Sequence, residues 1–126
     1  PLKDNEYLPH NYSSANCVVY TGTHDNNTSA GWFGELDEET RSAVVSYLPG
    51  GSENTVWKLI RLAWASTARI AVVPLQDLME LGSSARMNTP GQASGNWQWR
   101  FRFSDFDIEI SRKLSELTLL YDRSGK

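Results

Sequence analysis

The stretch Tyr20-Thr21-Gly22-Thr23-His24-Asp25-Asn26-Asn27-Thr28 sets an imidazole beside a carboxylate, among hydroxyls and amides. A carboxylate accepts from two neighbouring hydroxyls at once, and charge-assisted bonds of that kind are the stronger ones. An imidazole donates or accepts according to its tautomer. Gly22 would let the backbone turn tightly off whatever precedes it. The same residue types serve a plainer end, because Asp25 and Asn27 also suit a turn and the cap of a following helix. From the residues alone both readings stand.

The flanking segments say how such a loop would be held. Cys17-Val18-Val19-Tyr20 is a continuous apolar run, the pattern of a strand covered on both faces. Ser29 to Phe33 reads as a short helical turn. Asp37 is an N-cap for a helix from Glu38 to Leu48, with Thr40 at the third position and Pro49-Gly50-Gly51 as the stop. Ser52 or Asn54 caps the next helix, where Val56, Leu59, Ile60 and Ala63 recur at helical spacing and Trp57 and Trp64 widen the apolar face. A second strand is expected over Ala68 to Val73, with Arg69 its one charge and Pro74 closing it. Leu75 to Leu81 reads as a short helix ended by Gly82, and Ser83 to Asn96 as a long polar loop. Trp97 to Phe101 alternates like an extended segment. A last helix follows Ser104, with Phe106, Ile110, Leu114 and Leu117 on its apolar side and Ile108, Leu119 and Leu120 adding to it.

Two apolar strands separated by helices predict parallel pairing through a crossover. Two strands cannot bury both faces and edges of a sheet. The fold class is therefore α/β, either completed by another chain or forming the last units of a larger α/β structure. The abrupt, loop-like start at Pro1 favours the second.

Composition narrows the class. The 126 residues, 40% hydrophobic with five tryptophans, suffice for one domain's core. A net charge of -3 with interspersed signs gives no nucleic-acid footprint. No apolar run approaches the roughly 18 residues of a membrane span. Cys17, the one cysteine, sits in the apolar strand pattern and reads as a small buried residue. His10, His24 and the neighbouring acids lack zinc-ligand spacing, and no EF-hand or phosphate loop appears, so neither metal nor cofactor is expected.

Four segments carry a family resemblance. Tyr20 to Thr28 followed by Gly31-Trp32, Val73-Pro74-Leu75-Gln76-Asp77-Leu78, Arg86-Met87-Asn88-Thr89-Pro90-Gly91 and Gly95-Asn96-Trp97-Gln98-Trp99-Arg100 occur in the order found in 4-α-glucanotransferases, the amylomaltases or disproportionating enzymes of glycoside hydrolase family 77. The chain resembles only the C-terminal part of such an enzyme. The family fold is a (β/α)8 TIM-type barrel, so the resemblance implies a fragment holding the last two βα units. Residues 1–16 would be loop, 17–21 the penultimate strand, 68–73 the last strand and 104–122 the C-terminal helix.

The resemblance also implies a chemistry. These enzymes cleave an α-1,4 glucan bond and pass the glycosyl group to the 4-hydroxyl of another glucan with retention, which needs a nucleophilic carboxylate and an acid/base. Those two lie on earlier strands and their motifs are absent here. Asp25 corresponds to the third carboxylate, which grips the hydroxyls of the transferred sugar near the transition state, and His24 contacts the same sugar. The loop bearing Asn88, Pro90 and Gly91 borders the glucan cleft. Either Asn88 or Asn96 would meet sugar hydroxyls, the alternative being amides that satisfy their own loop. Gln76 and Asp77 either touch substrate or cap the short helix. Trp97 and Trp99 are either stacking platforms or core and cover. His10 is a further candidate for the cleft wall.

The implied partners are α-1,4-glucans, such as maltooligosaccharides, starch or glycogen chains. The implied setting is the cytoplasm, or alternatively a plastid. An isolated fragment with open strand edges is expected to be poorly stable or to self-associate. The reading from another class is a non-catalytic carbohydrate-binding or assembly fragment that keeps the motif without turnover.

Overall fold

The computed structural model describes residues 4–50 and 53–125. Strand β1, Val18–Tyr20, pairs in parallel with β2, Ile70–Val72, in the register Val18 to Ile70, Val19 to Ala71 and Tyr20 to Val72. Between them run α1 (Ser29–Glu35), α2 (Glu38–Tyr47) and α3 (Thr55–Ala65). After β2 come α4 (Leu75–Leu78), single 3-10 turns at Ser83–Ala85 and Phe103–Asp105, and α5 (Ile108–Leu120). A further 3-10 turn, Pro9–Asn11, interrupts the N-terminal loop. No helix among the described residues is long and apolar enough to cross a membrane.

Helix α3 is the centre of packing. Val56, Trp57, Ile60, Ala63 and Trp64 fall on one face and are buried, Ile60 completely. They meet Val19 of β1, Ala68, Leu78 of α4 and Leu117 of α5. A fully buried side chain of the size of Ile60 contributes about 1.5–3 kcal/mol. Asn54 starts the helix, its carboxamide oxygen accepting from the Trp57 amide at 3.0 Å. The alternative cap, Ser52, and Gly51 of the expected stop before it lie outside the described residues. Arg123, beyond α5, donates to the carbonyls of Trp64, Ser66 and Ala68 and so satisfies the orphaned C-terminal end of α3.

The cap at Asp37 forms as its residue types dictate. Its carboxylate accepts from the Thr40 amide at 2.7 Å and the Thr40 hydroxyl at 3.0 Å. The amide bond, more than the hydroxyl, holds the Asp37 carboxyl below its ordinary range.

Several expectations need correction. The strands are not covered on both faces: Val18, Tyr20, Ile70 and Val72 share an exposed face, while Val19 and Ala71 turn toward α3. Among the described residues, two strands and one helical layer leave that second face open. Arg69 precedes β2 instead of lying in it. Helix α4 stops at Leu78 because Glu80, with φ of 56°, takes the left-handed conformation, and the Leu81 amide then bonds back to the Gln76 carbonyl. Gly82 is therefore not what ends it. Trp97 to Phe101 forms no strand, since Trp97 has φ of 60°. Helix α5 begins at Ile108 under an Asp107 cap, after Phe106, and ends at Leu120. Ile108, Leu119 and Leu120 are exposed, and Ile110, Leu114 and Leu117 make its packed side. Cys17 is only half-buried, its thiol within 3.4 Å of the Ser14 carbonyl.

Candidate functional site

The chain from Gly22 to Asn27 leaves the end of β1 and returns to the start of α1. Neither Asp25 nor Asn27 caps that helix. Thr28 does, its hydroxyl accepting from the Gly31 amide at 3.1 Å. Asn27 instead donates to Glu35 at 3.0 Å and to the Ser83 hydroxyl at 2.9 Å. Gly22 has no left-handed φ, and a side chain there would meet nothing closer than 3.8 Å, so a tight turn is not its role.

Asp77 fixes both ends of this loop. The carboxylate sits in α4 and is 2% exposed. It accepts from the Thr21 hydroxyl at 2.7 Å, the Ser29 amide at 2.8 Å and the Ser29 hydroxyl at 2.7 Å. One buried carboxylate thus spans the loop, with three donors to satisfy it. Neither of the sequence-based roles for Asp77, substrate contact or capping α4, describes this. The available signal was an acid within an apolar segment shortly after a strand.

The segment 86–88 holds the apex. The Asn88 amide donates to the His24 carbonyl at 3.1 Å. The Asn88 carboxamide donates to Asp25 Oδ1 at 2.7 Å. Arg86 donates from one arm to the Asp25 carbonyl and from Nε to the Asn88 carbonyl, both at 2.8 Å. His24 Nε2 stands 3.4 Å from Asp25 Oδ2, and both side chains are about half exposed, at 54% and 51%. An ionised carboxylate offers about four lone-pair sites. The neighbours named here leave Asp25 capacity for further donors from solvent or a bound molecule.

Trp97 completes the constellation. Its ring lies 5.0 Å from the His24 ring, and the indole is half exposed. Its backbone conformation is an outlier for a bulky aromatic residue. The 2.7 Å bond from the Trp97 amide to the Met87 carbonyl holds it there. A cavity of about 160 Å³ opens beside these groups, lined among others by Thr23, His24, Asn26, Arg86, Met87 and Trp97.

The structure thus brings together His24, Asp25, Asn88 and Trp97. It does not bring Asn96 to them: that carboxamide accepts from the Thr89 amide at 2.8 Å and donates to the Gln92 carbonyl at 3.0 Å, closing its own loop. Pro90 and Gly91 are exposed on the same loop, outside the lining of that cavity, and Gly91 takes φ of 84°. Trp99 stacks on Phe101 at 5.8 Å. His10 lies apart, bonded to the Tyr47 hydroxyl at 2.7 Å, and burial pushes the Tyr47 phenol above its ordinary value. Gln76 is buried and donates to the Ala85 carbonyl. Among the described residues no three His, Cys, Asp or Glu side chains gather as a metal site.

Comparisons with known proteins identify the family. A family model described as 4-alpha-glucanotransferase, that of glycoside hydrolase family 77, matches residues 2–105. The chain is 49% identical over 122 residues to a 4-alpha-glucanotransferase of Synechocystis, covering 96% of the chain and 24% of that protein. It is 46% identical over 125 residues to a chloroplastic/amyloplastic 4-alpha-glucanotransferase of Arabidopsis thaliana, covering 95% of the chain and 21% of that protein. Its fold superposes with a TM-score of 0.89 on an amylomaltase from Streptococcus agalactiae solved in complex with acarbose, at 32% identity, covering 94% of the chain and 24% of that structure. The chain therefore spans about a quarter of the length of the relatives it matches, and it belongs to glycoside hydrolase family 77, the 4-α-glucanotransferases.

Proposed function

We propose that this chain is the C-terminal part of the catalytic barrel of a 4-α-glucanotransferase, with β1 and β2 as the last two barrel strands. In this reading Asp25 is the carboxylate that holds hydroxyls of the transferred sugar, and His24 is its companion. The observation that carries the reading is the convergence of His24, Asp25, Asn88 and Trp97 at the ends of two parallel strands. Barrel enzymes place their chemistry at strand ends of this kind.

The reaction breaks the bond between C1 of one glucose and the 4-oxygen of the next. The glycosyl group passes to an enzyme carboxylate, and the leaving 4-oxygen takes a proton from the acid/base. The 4-hydroxyl of a second glucan then attacks C1 and returns that proton. Nucleophile and acid/base belong to parts of the polypeptide outside these 126 residues. Asp25 accepts from sugar hydroxyls, and such bonds accelerate the reaction only to the extent that they strengthen in the transition state. The half-exposed Trp97 ring offers an apolar face to a sugar beside His24. The relatives include bacterial and plastid enzymes, and we infer a cytoplasmic or plastid setting accordingly.

Maltotriose tests the division of labour. A full-length protein carrying this segment is expected to release glucose and form longer maltodextrins, while the isolated chain forms neither. Absence of transfer by the full-length protein would contradict the enzymatic reading. Transfer by the isolated chain would contradict the placement of nucleophile and acid/base elsewhere.

A further inference from the structure

We propose that Arg86 is a positioning residue that sets the direction in which the Asp25 carboxylate faces the substrate. The inference rests on the role given to Asp25 above. Arg86 ties together the backbones of the two residues whose side chains meet at the site. One arm of its guanidinium holds the Asp25 carbonyl at 2.8 Å and its Nε holds the Asn88 carbonyl at 2.8 Å. The Asn88 carboxamide then holds Asp25 Oδ1 at 2.7 Å. A closed circuit results: guanidinium to the Asp25 backbone, Asp25 side chain to Asn88 side chain, and Asn88 backbone back to the same guanidinium.

The circuit constrains what Asp25 alone cannot. The backbone bond fixes the Cα–Cβ direction of Asp25, and the carboxamide fixes the rotation of its carboxylate. Without Arg86 the loop apex would keep one cross-loop backbone bond, from the Asn88 amide to the His24 carbonyl. The loop ends would remain fastened by Asp77. Loss of Arg86 is therefore expected to loosen the apex rather than unfold the loop. Arginine suits the task because its planar fork presents several donors in fixed directions, whereas the single ammonium of lysine is a compact charge on a flexible stem. A displacement of about 1 Å at a reacting group can cost about 10²-fold in rate.

The test is a double-mutant cycle in the full-length enzyme, using maltotriose. Arg86→Ala is expected to lower kcat by about 10- to 100-fold with KM nearly unchanged. Arg86→Lys, which keeps the charge but loses the fork, should fall between that variant and the parent. In the Asp25→Asn background, Arg86→Ala should add little further loss, because a misaimed group already removed cannot be removed again. Independent, multiplying losses would overturn the proposal, as would parental kcat in both Arg86 variants. If Arg86→Ala fails to fold, Arg86→Lys is read by the same criteria; failure of both to fold would also overturn it, leaving Arg86 a structural role only. Parental activity in Asp25→Asn itself would instead refute the role of Asp25.

Discussion

Among single residues, Asp77 has the largest structural consequence for the site. Its carboxylate is buried and satisfied by Thr21 and Ser29, the residues on either side of the loop that bears His24 and Asp25. Removing it would strand the two buried donors of Ser29, at about 1–3 kcal/mol for each left without a partner, and free the part-buried Thr21 hydroxyl. Asp77→Ala is expected to lower the thermal midpoint of the full-length protein measurably and to reduce transfer together with it; an unchanged midpoint would show that water or rearrangement replaces the carboxylate. The sequence made the pair His24-Asp25 visible because adjacent residues in one motif need no fold to be brought together. The role of Asp77 is not legible in the sequence, because its partners lie 56 and 48 residues away and no local pattern reports them. The two candidate asparagines were indistinguishable for the same reason. Only the fold turns Asn88 to Asp25 and Asn96 back on its own loop.

Among the elements, α1 shows how closely the site is packed. A Cβ at Gly31 would fall 2.4 Å from the Ser83 hydroxyl and 2.6 Å from the Asn27 carboxamide oxygen. Those two side chains are hydrogen-bonded to each other beside the helix. Ala is favoured over Gly in a helix by about 1 kcal/mol, whereas overpacking costs about 1–3 kcal/mol, and displacing Asn27 also disturbs its bonds to Ser83 and Glu35. The clash wins, so Gly31→Ala should destabilise the full-length protein, read as a lower midpoint in thermal unfolding. A stabilised variant would mean that Ser83 and Asn27 move aside freely. Caps at Asp37 and Asn54 could be read directly from residue types, since a cap is a local device. The ends of α4 and the course of 97–101 could not be. Both depend on non-glycine residues, Glu80 and Trp97, in the left-handed region. Tertiary bonds such as that from the Trp97 amide to Met87 hold such conformations, and composition does not announce them.

At the scale of the whole molecule, the parallel pair of strands was legible from two apolar runs separated by helices. Their open face was not. Val18, Tyr20, Ile70 and Val72 suit a strand built for burial, yet the described residues supply a layer on one side only. The chain spans about a quarter of the length of its relatives, and we propose that the sugar-holding carboxylate, Asp25, lies in this quarter and the bond-breaking carboxylates outside it. The proposed role of Asp25 is the central point. The most direct measurement is the kcat of maltotriose disproportionation by the full-length enzyme with Asp25→Asn. Transition-state bonds worth several kcal/mol predict a fall of about 10²-fold or more, with unfolding little altered. Activity within a few-fold of the parent would contradict it.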